Sequence, residues 1–158
     1  LQAHADWDTF TFETDPGEDG RYQLPPGMHV ASWPELVERF GTNERRREIL
    51  AGLLRALQTL KAAGCRRAYV DGSFVTSKEV PGDFDGCWDH EGVDFDALDP
   101  VLLDFEGHRE AQKAKFEGEM FLSMTQADAL GRRFLDFFQL DRDGRPKGIV
   151  QIDLKGIP

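Results

Sequence analysis

Two short apolar segments joined by a Gly-Ser turn constrain the fold of this chain more than any other feature. Residues 67–71 read as a buried strand, and residues 83–88 read as a second strand that carries Asp83 and Asp85. Side chains two apart on a strand point to the same face of a sheet. The two carboxylates are therefore predicted to lie side by side, where they repel each other unless a cation lies between them.

This arrangement indicates a metal-dependent nucleotide site. Paired carboxylates suit Mg²⁺, with Mn²⁺ as the alternative, because Mg²⁺ is usually held by one or two carboxylates together with phosphate oxygens. Gly72 lets the backbone approach a phosphate closely, and Ser73 adds a hydroxyl group. Lys78 lies between the turn and the aspartates, where it either reaches the triphosphate of a nucleotide or is solvated. Together these are the parts of a phosphoryl or nucleotidyl transfer site.

Asp153 is the third candidate ligand, because it lies in an apolar segment over residues 149–154. An unpaired charge is costly to bury, and a bound metal is one suitable partner for it. If this segment lies beside the strand of Asp83, three carboxylates converge. Asp153 would then complete a second metal site or act as the base on an attacking hydroxyl. The simpler interpretation is that these acids are solvated, because short motifs often match by chance.

The rest of the sequence predicts a single α+β domain with a mixed sheet flanked by helices. Ser32 and Glu35 form a capping-box pattern that starts a short helix ending near Gly41. Thr42 or Asn43 caps a second helix, whose apolar residues recur at helical spacing as far as residue 63. Further along, the patterns predict a helix over residues 110–116, a strand over 118–124, and a hairpin that pairs 134–140 with 149–154 around an Asp-rich turn.

Composition limits the classes of partner. The net charge is −10, so a broad basic surface for RNA is not expected. Two cysteines are too few for a disulfide scaffold, which favours a cytoplasmic protein, and no apolar run is long enough to cross a membrane. Residues 1–23 read as an acidic, partly flexible N-terminal extension, and residues 24–158 as the folded domain.

The combination of Gly72-Ser73, Asp83-x-Asp85 and Asp153 resembles the signature of the nucleotidyltransferase superfamily typified by DNA polymerase beta, in a minimal form. The chain is also similar to a group of small bacterial proteins, often regarded as toxin–antitoxin-like. The resemblance implies a nucleotidyltransferase-like fold over residues 24–158 and a nucleoside triphosphate (NTP) substrate. It assigns Gly72 and Ser73 to the phosphates, Asp83 and Asp85 to Mg²⁺, and Asp153 to the place of the third acid.

Three functions remain open on the sequence. The first is an enzyme that moves a nucleoside monophosphate from an NTP to a hydroxyl of a protein, an RNA or a small molecule, within a toxin–antitoxin system. The second is a catalytically inactive module that binds a partner protein, as an antitoxin or a regulatory subunit does. The third is a nucleotide sensor without turnover.

The segment between Ser73 and Asp83 is shorter than in the resembled family and carries Lys78 as its only cation.

Overall fold

A mixed β-sheet organises the part of the chain that the computed structural model describes, which is residues 21–158 and the backbone of a two-residue strand near the N-terminus. The strands are β1 His4–Ala5, β2 Gly27–Val30, β3 Arg67–Asp71, β4 Phe84–Trp88, β5 Gly118–Leu122 and β6 Gly148–Asp153. Their order across the sheet is β1-β2-β6-β3-β4-β5. β3 runs antiparallel to both of its neighbours, whereas the other pairs are parallel. The predicted α+β class with a mixed sheet is confirmed.

Four α-helices accompany these strands in the described residues: α1 Trp33–Phe40, α2 Glu44–Ala62, α3 Glu106–Phe116 and α4 Phe134–Phe137. The predicted capping box is present, with the Glu35 amide donating to Ser32 Oγ at 3.3 Å and the Ser32 amide donating to Glu35 Oε1 at 2.9 Å. Asn43 caps α2 through the Arg46 amide. Local sequence signals therefore place the start of both N-terminal helices correctly.

The two faces of the sheet are covered unequally. One face meets α1 and α2 and forms the main core, in which Leu53, Leu57, Val70, Phe84 and Trp88 are fully buried. The opposite face carries a smaller cluster built from Tyr69, Cys87, Phe138 and Ile149, with Phe134 of α4 packed against it. This second face is only partly covered, which leaves room for a cleft beside α4.

The predicted hairpin between residues 134–140 and 149–154 is wrong. The first half contains α4, and the rings of Phe134 in α4 and of Phe138 just after it lie 5.7 Å apart between centroids. Both rings pack in the smaller cluster on the sheet. Both edges of β6 are already used, by β2 on one side and β3 on the other. The predicted turn survives only as an isolated bridge between Leu140 and Pro146.

Two further expectations concern the N-terminal extension and membrane-spanning segments. The acidic extension predicted over residues 1–23 lies largely outside the described residues, apart from the pairing of β1 with β2. Among the helices of the described chain, none has the length and apolar character needed to span a membrane.

A buried arginine holds the segment after the Gly-Ser turn against α2. The Arg46 side chain is 3% exposed, and its guanidinium donates to the carbonyls of Phe74, Thr76 and Lys78 at 2.6, 2.8 and 2.5 Å. It also donates to the Phe40 carbonyl at 3.2 Å. A planar fork of fixed donors suits several carbonyls at once, so Arg46 fixes the path of residues 74–78.

We expect Arg46→Met to lower the free energy of unfolding by about 2–4 kcal/mol, because it leaves buried carbonyls without their donor. Urea denaturation of the wild type and the variant measures this loss. Arg47→Met is the matched control, since Arg47 is its exposed neighbour on α2. Equal losses from the two substitutions would contradict the anchoring role of Arg46.

Candidate functional site

Three carboxylates form a row across neighbouring strands at one end of the sheet. Asp71 is the register partner of Asp85 in the antiparallel β3–β4 pair, and Asp85 is the partner of Glu119 in the parallel β4–β5 pair. Register partners lie on the same face, so the row runs from Asp71 through Asp85 to Glu119. Asp83 immediately precedes β4, and its charge acts on the Asp85 carboxyl group.

The row is electrostatically strained without a cation. Burial raises the pKa of Asp85 to about 8, and the charges of Asp83 and Glu119 add to this effect. Burial also raises the pKa of Asp83, with the Glu119 charge as the next cause. A hydrogen bond with Glu119 raises the pKa of Asp85 further, and a bound cation would favour the charged form of Asp85 instead.

The Gly-Ser turn closes directly onto this row. Gly72 has a φ of 85°, in the left-handed region that favours glycine. A Cβ atom at this position would lie 2.6 Å from Asp85 Oδ2, so a larger residue would displace the carboxylate. Ser73 then begins a 3₁₀ turn, Ser73–Val75, which leads into the segment held by Arg46. The sequence-predicted turn and the Asp-x-Asp strand are therefore in contact.

A cleft of about 620 Å³ opens over the turn and over two acids of the row, Asp71 and Asp85. Gly72 and Ser73 of the turn line it as well. Its other lining residues include basic and aromatic side chains from several parts of the chain, namely Arg21, Lys78, Arg132, Arg142, Lys147, Phe137 and Phe138. The cleft thus brings cations and rings together with carboxylates, in a protein whose net charge is −10.

Each end of the carboxylate row has a basic partner. Lys147 forms an ion pair with Asp71, and the side chains are 15% and 7% exposed. Burial raises the pKa of Asp71, and the Lys147 charge opposes that shift. At the other end, Arg109 Nε lies 2.7 Å from Glu119 Oε2. Arg109 reaches it from a left-handed turn, in which Arg109 has a φ of 62°. Such a backbone costs about 1–2 kcal/mol for a non-glycine residue.

Asp153 does not join the row, which corrects the predicted convergence. The β3–β6 register pairs Asp153 with Arg67, four residues before Asp71 along β3. At a rise of roughly 3.4 Å per residue, this separates Asp153 from Asp71 by about 14 Å along the strand direction. Asp153 is exposed, and its carboxylate caps the final 3₁₀ turn by accepting from the Lys155 amide at 2.9 Å. A capping role explains this acid without a metal.

Glu119 takes the place that the sequence analysis gave to Asp153. The segment 118–124 was predicted as a strand, and an acid inside an apolar strand is the same signal that singled out Asp153. The sequence pattern does not show which strand pairs with residues 118–124. β5 pairs in parallel with β4, and this pairing aligns Glu119 with Asp85.

The donors present fit a cation that a substrate helps to hold. Within residues 21–158, no group of three or more His, Cys, Asp or Glu side chains is arranged to hold a metal ion by itself. Mg²⁺ does not need such a group, since it keeps several waters and binds through one or two carboxylates and substrate phosphates. Asp83 and Asp85 are the carboxylates that would contact it, and a cation there would remove the repulsion that raises the pKa of Asp85.

Comparison with known proteins places the chain in a family. The model of a protein family described as "Family of unknown function (DUF6932)" matches residues 16–153, which is most of the chain. The chain belongs to DUF6932. Neither the curated proteins nor the solved structures contain a significant match. The match includes every residue of the carboxylate row, the Gly-Ser turn and the cleft, so the site lies within the part that defines the family.

The raised pKa of Asp85 predicts how stability depends on pH in the absence of metal. Its folded pKa of about 8 lies above the value near 3.9 of an unfolded chain. The folded state then binds the extra proton, so the free energy of unfolding falls as the pH rises from about 4 to about 8. Each unit of difference between the two pKa values contributes about 1.4 kcal/mol.

We expect Asp85→Asn to remove most of this fall and to stabilise the protein at pH 8. Denaturant unfolding at pH 5 and pH 8 with a chelator measures the effect. Asp153→Asn is the control and should keep the wild-type dependence, because Asp153 is exposed. An Asp85→Asn variant with the wild-type pH dependence would show that Asp85 is not the strained group.

Proposed function

We propose that this DUF6932 protein is a Mg²⁺-dependent nucleotidyltransferase that moves a nucleoside monophosphate from an NTP to a hydroxyl group. The observation that carries the proposal is the direct contact between the Gly-Ser turn and the carboxylate row in one cleft. A phosphate-binding turn and paired carboxylates are both needed for metal-assisted nucleotidyl transfer, and neither alone specifies it.

The size and charge of the cleft support a nucleotide as the ligand. A volume of about 620 Å³ falls in the range of small-molecule sites, roughly 300–1,000 Å³. Five basic side chains and three acidic ones line it, the acids being Asp71, Asp85 and Asp141. A basic lining in an acidic protein concentrates anionic ligands at this one place. Phe137 and Phe138 supply an apolar wall on which a base can stack.

The residues divide the reaction between them. The backbone at Gly72 and the hydroxyl of Ser73 would contact the phosphates, and Asp83 and Asp85 would hold Mg²⁺. The metal would supply positive charge that offsets the charge of the phosphates during attack at the α-phosphorus. In this proposal Glu119, the register partner of Asp85, accepts the proton of the attacking hydroxyl. The oxygen of that hydroxyl forms the new bond to phosphorus, and pyrophosphate leaves.

The proposal extends to the acceptor of the nucleoside monophosphate and to the cellular compartment in which the protein acts. The net charge of −10 favours a protein or a small molecule over RNA as the acceptor. A partner protein of a toxin–antitoxin system fits this preference. Both cysteines are free and buried, which agrees with a reducing cytoplasm.

One observation favours a second function, that of a catalytically inactive binding module. The described residues hold no group of three metal-ligating side chains, and the Asp71 carboxylate is already neutralised by Lys147. A site of this kind stays folded without metal, as an antitoxin or regulatory subunit requires. The two functions differ in whether a nucleotide binds.

Calorimetric titration separates these functions. ATP, GTP, CTP and UTP are titrated into the wild type with Mg²⁺ or with a chelator. We expect Mg²⁺-dependent binding of at least one NTP, and we expect Asp83→Asn/Asp85→Asn to abolish it, because the variant cannot hold the cation.

Asp153→Asn is the matched control and should bind as the wild type does, since Asp153 lies at the far end of β6. Binding that persists in the double variant would place the nucleotide elsewhere. The absence of binding to all four nucleotides would overturn the proposal and favour the binding module.

A further inference from the structure

Lys147 is a partly buried cation to which the proposed reaction assigns no role. It lines the cleft and pairs with Asp71, beside the Gly-Ser turn. A lysine ammonium has three donors, and one carboxylate oxygen takes one of them. The side chain is only 15% exposed, so contacts with the protein, among them the ion pair with Asp71, fix the position of its ammonium group.

Lys147 lies at the end of the Asp-rich turn before β6, and hydrogen bonds within that turn fix its position. The Asp141 amide donates to the Arg145 carbonyl at 2.8 Å, and Asp141 Oδ1 accepts from the amides of Asp143 and Arg145, each at 2.9 Å. The Lys147 amide donates to the Gln139 carbonyl at 2.8 Å. The turn that the sequence analysis assigned to a hairpin is thus a closed loop that ends at the cleft.

The pairing gives Asp71 a counter-charge within the row. Asp71 is buried, and its carboxylate is paired with Lys147. The like charges of Asp83, Glu119 and Asp71 all act on Asp85. Asp83 and Asp85 are the proposed cation ligands, whereas the Asp71 carboxylate already holds an ammonium group.

We propose that Lys147 contacts the phosphates of the bound nucleotide, and that Asp71 is the residue that positions it. This inference rests on the proposed function for the identity of the ligand. The inference itself is narrower than that function: the Lys147 ammonium, held by Asp71 in the same cleft as Gly72 and Ser73, donates to phosphate oxygens. The C-terminal loop, Asp141 to Lys147, is then part of the binding site.

Lys147→Met tests the contact, because methionine keeps much of the side-chain length and removes the charge. We expect the affinity for the best-binding Mg·NTP to fall about 10- to 100-fold, the range of a lost hydrogen bond between charged groups. Lys155→Met is the matched control for net charge, since Lys155 is exposed beyond the far end of β6. It should bind as the wild type does.

The same substitution leaves Asp71 buried without its partner and lowers stability. Asp71→Asn/Lys147→Met removes both charges, so we expect its urea midpoint to recover while its weak nucleotide binding persists. If Lys147 served only to neutralise Asp71, the double variant would recover stability and affinity together. That result would overturn the inference.

Inorganic tripolyphosphate distinguishes this inference from the proposed function. Binding of Mg·NTP that Lys147→Met leaves unchanged would refute the inference and retain the nucleotide site. Lys147-dependent binding of tripolyphosphate without binding of any NTP would support the phosphate contact and refute the proposed function. If the wild type binds neither probe, both proposals fall.

Discussion

The donation of one buried guanidinium to four backbone carbonyls is the interaction on which the site depends. Arg46 lies in the first turn of α2 and holds residues 74–78, the segment between the Gly-Ser turn and the Asp-x-Asp strand. Two residues at the start of α2 hold the same segment further along. The N-cap Asn43 donates to the Glu79 carbonyl at 2.7 Å, and Arg45 donates to the Gly82 carbonyl at 2.5 Å. A segment with no helix or strand of its own over residues 76–83 therefore has a defined path.

The Arg46 contacts matter because the backbone at residue 72 lies so close to the Asp85 carboxylate that a side chain on residue 72 would not fit between them. Gly72 contacts Asp85 only because residue 72 lacks a Cβ atom and adopts a left-handed conformation. The main core fixes β3 and β4 from one face, and Arg46 fixes the connection between them. The opposite face is left open enough for a cleft above the carboxylates. The protein accepts electrostatic strain at this row, where burial raises the pKa of Asp85 to about 8.

Local signals in the sequence were sufficient for most of the elements. Ser32 and Glu35 cap α1 through neighbours in the chain, and the Gly-Ser turn follows β3 as predicted. The long-range pairings were not accessible in this way. Asp153 and Glu119 carry the same signal, an acid within an apolar strand, yet only strand direction and register decide which one meets Asp85. The Lys147–Asp71 pair spans 76 residues of sequence, so no local pattern could reveal it.

Crystals of the protein grown with Mn²⁺ and a non-hydrolysable NTP analogue test the central claim most directly. The account predicts an anomalous manganese peak about 2 Å from carboxylate oxygens of Asp83 and Asp85, with the phosphates over Gly72 and Ser73. A nucleotide bound without manganese at these carboxylates, or a manganese peak only at distant acids such as Asp153, would contradict it.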